Sequence, residues 1–287
     1  MRSKRKFLEN LARDAGKLMM DNWQKDVDIY EKADHTIVTE VDLKISKMVC
    51  DRIAQTYPES AILTEETHKE LYFPRETGFI IDELDGTFSF VNGRSGFNFQ
   101  CAYYENYGEL KVGLIYDPMK DIVLSATKGK GVSLTEKGVT TKISPFPHKE
   151  WDDLRYGHHR IFMSDTHKLM YDKMGVSEDQ IVSTGSIGSK VIDLIKGQFE
   201  VLIALNRKVA AWDWAPGKVI IEELGYCLYH LTGEEVKLTD PREENIHTFG
   251  YLACPREHLP RFQEELRWIS DKLNRKRKKK EKARVKL

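Results

Sequence analysis

The sequence predicts a layered α/β, or α+β, fold, and two observations carry that prediction. Between residues 61 and 126, short apolar runs of strand length follow one another with turn residues between them, as in an antiparallel meander. After residue 148, stretches with helical periodicity alternate with strand-like runs. A length of 287 residues allows one large domain or two closely packed ones, and 40% hydrophobic with 31% charged residues is ordinary for a globular protein in water.

Residues 5–23 place Phe7, Leu8, Leu11, Ala15, Leu18 and Met19 at helical spacing, which predicts an amphipathic helix. A second helix is predicted over about 42–56, from Leu43, Ile45, Val49, Ile53 and Ala54, with strand-like Thr36–Thr39 between the two. Strands are predicted at Ala61–Leu63, Phe79–Ile81, Phe97–Tyr104, Lys111–Tyr116 and Ile122–Ala126. Gly129 and Gly131 mark a turn, and Pro145 and Pro147 mark the domain boundary, giving an N-terminal half over 1–146 and a C-terminal half over 147–274. The second half is predicted to hold a helix at Ser189–Lys196, a strand at Val201–Ala204 and a helix over Ala215–Leu224 that ends near Gly225. Strands around 226–238 and 248–253 and a final helix from Leu259 complete it.

Composition excludes several classes. No window approaches the 18 or so uninterrupted apolar residues of a membrane span. The basic start MRSKRK is followed by FLENLARDAG, charged where a signal peptide is apolar, so the cytoplasm is the expected location. Cys50, Cys101, Cys227 and Cys254 form no CxxC pair, which argues against a structural zinc site, and free thiols are expected. Residues 275–287 carry nine Lys or Arg and one Glu; because the chain is neutral overall, the remainder is acidic, with a net charge of −8. An acidic body is unlike a nucleic-acid-binding domain, whereas the basic tail reads as a solvated end that would suit an anionic partner.

The strongest chemical signal is IIDELDGT at 80–87. In a regular strand Asp82 and Asp85 would point to opposite faces, so a sharp turn, for which Gly86 has the freedom, is expected to bring both to one ion. Such a turn also aims the Leu84 carbonyl inward as a hard oxygen donor, and Thr87-Phe88-Ser89 is expected to open a short helix whose N–H groups suit a phosphate. Taken alone, the motif reads equally as a surface turn capped by carboxylates. Glu65 and Glu66 end a strand-like run and read either as exposed loop acids or as a pair that needs a cation. Asp42 and Asp213 each stand where a helix begins, so each also reads as a plain N-cap.

In this order the motifs become specific. KADHTIVTEVD (32–42), ILTEE (62–66), IIDELDGTFSF (80–90) and WDWAPG (212–217) resemble the successive motifs of the inositol monophosphatase superfamily, over roughly residues 7–265. The resemblance implies a layered αβαβα sandwich of the inositol monophosphatase and fructose-1,6-bisphosphatase type. It implies a Mg²⁺-dependent phosphoric monoester hydrolase, inhibited by lithium, with two or three ions. Glu65, Asp82 and the Leu84 carbonyl would hold the first ion, Asp82, Asp85 and Asp213 the second, and Glu65 a weaker third. Thr87, oriented by Asp42, would position and deprotonate the attacking water, and the backbone of Gly86 and Thr87 would cradle the phosphate. Homodimers are common in the superfamily, although nothing in this sequence marks an interface. The chain departs from the pattern at Glu83, where Pro is usual, at Thr64, where Gly is usual, and at Phe88-Ser89.

The expected substrate is a small phosphorylated metabolite, with an inositol monophosphatase-like activity. Selectivity is expected from residues 183–216, where Ser186, Lys190, Asn206 and Arg207 are the candidate contacts. Asn206 stands where inositol-selective members place a glutamate, while Lys190, Arg207 and Lys208 would suit a second phosphate. The run from Gly185 to Lys190 resembles 3′(2′),5′-bisphosphate nucleotidases, and DGTFSFVNG resembles archaeal-type fructose-1,6-bisphosphatases, so both remain alternatives. A non-catalytic member that binds phosphate or metal is a further one. GSIGSK lacks the spacing of a Walker loop. His158 and His159 are expected at the surface, and Trp212 in the core beside Asp213.

Overall fold

The computed structural model describes residues 1–32, 36–66, 75–159, 163–205, 209–238, 246–247 and 250–271. The basic tail at 275–287 and the candidate residues Asn206, Arg207 and Lys208 lie outside them.

Two helices, α1 (Arg2–Asn22) and α2 (Glu40–Thr56), form the outermost layer on one side, with the short strands β1 (Ile29–Glu31) and β2 (Ile37–Thr39) paired antiparallel between them. Against them lies a seven-stranded sheet in sequence order: β3 (Ala61–Thr64), β4 (Gly78–Asp85), β5 (Asn98–Glu105), β6 (Glu109–Asp117), β7 (Ile122–Thr127), β8 (Val132–Glu136) and β9 (Val139–Ile143). Strand β3 runs parallel to β4, and the rest is an antiparallel meander. Side chains alternate across this sheet as the pleat requires. Phe79, Ile81, Cys101 and Tyr103 pack on Leu8, Leu11, Ala15, Ile45 and Val49 of α1 and α2. Ile80, Ala102 and Tyr104 face the other way, into a second core.

That second core is the middle layer, α5 (Ile187–Ile195) and α6 (Ala211–Glu222), sandwiched between the seven-stranded sheet and a second, mixed sheet. The second sheet, ordered β11-β10-β12-β16-β14, is built from β10 (Tyr156–His159), β11 (Ile181–Thr184), β12 (Val201–Ala204), β14 (Tyr226–His230) and β16 (Tyr251–Pro255). Its far face packs on α4 (Asp165–Met174) and α7 (Leu259–Glu265) through Met170, Tyr171, Met174 and Phe262. The expected five-layer αβαβα sandwich is therefore what forms. A minor pair, β13 (Val209–Ala210) with β15 (Ile246–His247), leads directly into α6.

Close backbone approach fixes α6 on the sheet. A Cβ on Gly113 of β6 would overlap the Pro216 carbonyl, so glycine at that position lets helix and strand touch. Beyond the other end of α6, both carboxylate oxygens of Glu223 accept the backbone N–H groups of Gly129 and Gly131, each at 2.7 Å, which ties down the β7–β8 turn.

Several expectations change. Helix α6 begins at Ala211 rather than Ala215, which puts Asp213 inside it and Pro216 in its second turn. Strands β8 and β9, helix α4 and strands β10 and β11 escaped the sequence reading; β9 is mostly exposed and so lacks the alternation that reveals a strand. His158 is not at the surface: it is buried against His167 and Tyr171, with ring centroids 4.7 and 6.0 Å away. Trp212 is buried as expected, and none of the four cysteines is in a disulfide. Among the described residues, no helix is long and apolar enough to cross a membrane.

Candidate active site

Strand β4 is buried over its whole length and delivers the central acids. Asp82 pairs with Gln100 and Asp85 with Asn98, so three steps along β4 match two along β5. This β-bulge, rather than a turn at Gly86, is what corrects the strand period. Leu84 joins the core beneath α1 and α2, while Asp82 and Asp85 lie on the other face, toward α5 and α6. Gly86 still takes a left-handed conformation (φ +87°), and a Cβ there would stand 2.7 Å from the Gly96 carbonyl oxygen. It caps the short helix α3 (Thr87–Val91) that follows.

Asp42 and Asp213 arrive by one local device. Neither is an N-cap, the alternative that the sequence left open; each is the third residue of its helix, with a carboxylate turned back to the N-cap backbone. Asp42 Oδ2 accepts Thr39 N at 2.8 Å, and Asp213 Oδ2 accepts Ala210 N at 2.6 Å. Asp42 Oδ1 lies 3.4 Å from Thr87 Oγ1, whose shorter hydrogen bond, 3.0 Å, goes to the Leu84 carbonyl.

Glu65 and Glu66 follow β3 and share one cation. Lys32 Nζ lies 2.9 Å from Glu65 Oε1 and 2.7 Å from Glu66 Oε1. Burial opposes the charge on Lys32, but the two glutamates outweigh it and hold its pKa above the ordinary lysine value. Burial, reinforced by Glu65, pushes Glu66 up to about 7.

Glu65, Asp82, Asp85 and Asp213 lie near enough to act on one another's charge. Burial raises the Asp82 pKa well above the usual carboxylate range, and Glu65, Asp85 and Asp213 add to it. Burial and then Glu65 push Asp213 up to about 8. Burial raises Asp85 as well, against hydrogen bonds from Asn98 Nδ2 (3.0 Å) and Gly188 N (2.7 Å). At the centre, Asp82 Oδ1, Asn98 Oδ1 and both polar atoms of Gln100 are buried without a protein hydrogen-bond partner. Buried polar atoms normally have partners. Hard oxygen donors crowded in this way repel one another unless a cation lies among them, which is the donor set that Mg²⁺ takes.

The start of α5 closes the pocket. Ser186 Oγ accepts from Asn98 Nδ2 at 2.9 Å. A Cβ on Gly188 would overlap Asn98 Oδ1. Lys190 is buried and faces Asp85 and Asp213; burial lowers its pKa, and the two acids partly restore it. Glu83 points to the α2 side rather than outward or into the acid cluster. It is 1% exposed, Oε2 accepts Glu65 N at 3.3 Å, and Oε1 has no hydrogen-bond partner. Sequence reasoning gave Lys32 and Gly188 no role and missed Asn98 and Gln100 altogether. Lys32 carried a signal as the first residue of a quoted motif, and Gly188 stood inside GSIGSK, weighed only against a Walker loop.

A five-layer αβαβα sandwich with a buried acidic pocket at the end of strand β4 is the inositol monophosphatase fold. The chain belongs to the inositol monophosphatase family, whose family model matches residues 1–266. It is 28% identical over 227 residues to the inositol-1-monophosphatase of Bacillus subtilis, covering 77% of this chain and 83% of that protein. Over 231 residues it is 29% identical to the fructose-1,6-bisphosphatase/inositol-1-monophosphatase of Thermotoga maritima, covering 80% and 85% of the two chains. The solved structure of a Thermotoga maritima inositol monophosphatase superposes with a TM-score of 0.76 at 23% identity, covering 94% of this chain and 99% of that one. Membership supports phosphatase activity as the coarse function.

Proposed function

We propose that this protein is a Mg²⁺-dependent phosphomonoesterase acting on a small polyhydroxylated metabolite, with inositol monophosphate the leading substrate class. What supports the reading is the mutual electrostatic influence of Glu65, Asp82, Asp85 and Asp213, together with Asp82 Oδ1, a buried oxygen without a protein partner. Glu65, Asp82 and the Leu84 carbonyl would hold one ion, and Asp82, Asp85 and Asp213 a second, with Glu65 serving a weaker third. When bound, magnesium polarises the phosphoryl oxygens, acidifies water and neutralises charge on the leaving oxygen.

The chain's own residues do the positioning. The N–H groups of Gly86 and Thr87 bind the phosphate at the start of α3. The Thr87 hydroxyl, set between the Leu84 carbonyl and Asp42, orients the attacking water and relays its proton to Asp42. Burial raises the pKa of Asp42, which makes it a better proton acceptor than an exposed aspartate. Ser186, Lys190, Asn206 and Arg207 are assigned to the substrate side. Lys190, already facing Asp85 and Asp213, limits the net negative charge that an incoming phosphate meets.

Phosphate release from inositol 1-phosphate, fructose 1,6-bisphosphate and adenosine 3′,5′-bisphosphate, with and without Mg²⁺, tests the proposal. Turnover of inositol 1-phosphate that requires Mg²⁺ and is inhibited by Li⁺ supports it. Preference for either bisphosphate reassigns the substrate class. No Mg²⁺-dependent release from any of the three would overturn the catalytic reading.

A further inference from the structure

Between β9 and the second half of the chain, residues 144–150 run without helix or strand, and this segment meets the turn at Arg256–His258 just before α7. Three side chains with metal-binding chemistry gather there, from two segments more than a hundred residues apart. His148 Nδ1 lies 2.6 Å from Glu257 Oε1, and His258 Nε2 lies 3.8 Å from the same oxygen. One donor atom from each of His148, Glu257 and His258 falls within 4.8 Å of the others. Glu150 Oε1, 3.4 Å from His148 Nε2, stands close by as a fourth group.

The scaffold under these groups is ordered by contacts of its own. His258 is largely buried; its Nε2 bonds to the Lys149 carbonyl at 2.8 Å, and its ring stands edge-on to Trp151 at 5.9 Å. Trp151 in turn packs on Phe262 of α7 at 4.5 Å and lies under the Arg261 guanidinium at 4.1 Å. The two imidazoles lie 5.7 Å apart with 32° between their planes. As an ion pair alone this arrangement is weak, because His148 and Glu257 are more than half exposed or close to it and such pairs contribute little. It also sets two imidazoles against one carboxylate, and both cannot be protonated without repelling each other. One divalent ion would satisfy all three groups at once, once His258 Nε2, which has no lone pair to offer while it donates to the Lys149 carbonyl, exchanges that hydrogen bond for the ion.

The geometry points to a second metal site, formed by His148, Glu257 and His258, that takes a borderline transition-metal ion such as Zn²⁺ or Cu²⁺ and clips the 144–150 segment to the base of α7. Two imidazoles and a carboxylate are the donors of zinc and copper sites, whereas Mg²⁺ prefers all-oxygen surroundings. The site is distinct in chemistry from the acidic pocket, which offers only oxygens. Its donors come from the two ends of the second half, so occupancy would couple the inter-sheet segment to the C-terminal helix.

That difference in donor atoms gives the test. The full chain, with Mg²⁺ saturating the acidic pocket, is titrated with Cu²⁺ and followed by electron paramagnetic resonance, and Zn²⁺ is then used as a competitor. The expected result is one bound equivalent showing nitrogen superhyperfine coupling, displaced by Zn²⁺. His148→Ala lies on an exposed segment and leaves the core untouched; it is expected to weaken the site at least ~10-fold, since losing even an outer partner of a metal ligand costs that much. Glu257→Gln is expected to weaken it while keeping the nitrogen signal. An oxygen-only spectrum in the unaltered chain would overturn the assignment. So would a nitrogen-coupled signal of unchanged affinity in His148→Ala, because it would place the copper on other histidines.

Discussion

Replacing Glu83 with glutamine should stabilise the metal-free protein at neutral pH, against the usual cost of altering a buried group. Burial pushes the Glu83 carboxyl from its ordinary 4.5 up to about 8, with Glu66 and Glu65 adding to it. Ser46 on α2 pulls the other way, yet neither its Oγ nor Glu83 Oε1 has a hydrogen-bond partner. The unfolded chain therefore releases this proton near 4.5, while the folded chain keeps it to about 8. Between those values folding takes up a proton, and stability falls as pH rises. At ~1.4 kcal/mol per pH unit, the penalty at pH 7 is about 3 kcal/mol, and it reaches about 5 kcal/mol above pH 8. Glutamine has no proton to acquire. Its carbonyl can still accept Glu65 N, and its amide can donate to the unpaired Ser46 hydroxyl. After allowance for burying the amide, Glu83→Gln should gain about 2–3 kcal/mol at pH 7 and nothing at pH 4.5. Urea denaturation of both proteins at several pH values, with chelator present, measures the difference. A variant equally or less stable at pH 7, with no closing of the gap toward pH 4.5, would mean that Glu83 is held ionised, and the reasoning would fail.

Asp213→Asn should reduce Mg²⁺-dependent phosphate release at least ~10²-fold, the scale of losing one electrostatic stabiliser in an active site. In chelator the same variant should be more stable than the parent at pH 7 to 8, because it removes a group pushed up to about 8; equal activity would remove Asp213 from the proposed ligand set. Gly188→Ala forces Asn98 away from Asp85 and Ser186, and should cost about 1–3 kcal/mol together with a fall in kcat. Parent-like thermal melting and kcat would show that the α5 start moves freely. Lys32→Met leaves Glu65 and Glu66 facing each other half-buried, and should destabilise the metal-free chain by about 1–3 kcal/mol. Added Mg²⁺ should return most of that loss in a thermal melt, and a loss indifferent to Mg²⁺ would indicate a purely structural role for Lys32.

Much of this molecule was legible along the chain. The apolar runs at Phe79–Ile81 and Phe97–Tyr104 read as strands because both faces of each are buried, one against α1 and α2 and the other toward α5 and α6. The helical spacing of Leu8, Leu11 and Ala15 gave α1 for the same reason. Strand β9 was not legible because a strand with almost no buried face has no pattern to read. Helix α6 was started too late, because Ala211-Trp212-Asp213 reads as a capping turn and Pro216 as a first-turn residue. Glu83 stood out only as a departure from the family pattern, with no local signal for its direction; the bulge turns it under α2.

The sequence by itself determined which side chains are available and the local device that aims each one: carboxylates at the end of an apolar strand, and at the third position of two helices. Those choices depend on neighbours within a few residues, and local backbone physics suffices for them. Tertiary structure alone decided how they meet. The Lys32–Glu65 pair spans 33 residues, the Asn98–Ser186 bond 88 and the Gly188–Asp85 bond 103. Contacts of that range form only when whole layers pack, because no periodicity in the chain records which face of one element will lie against another.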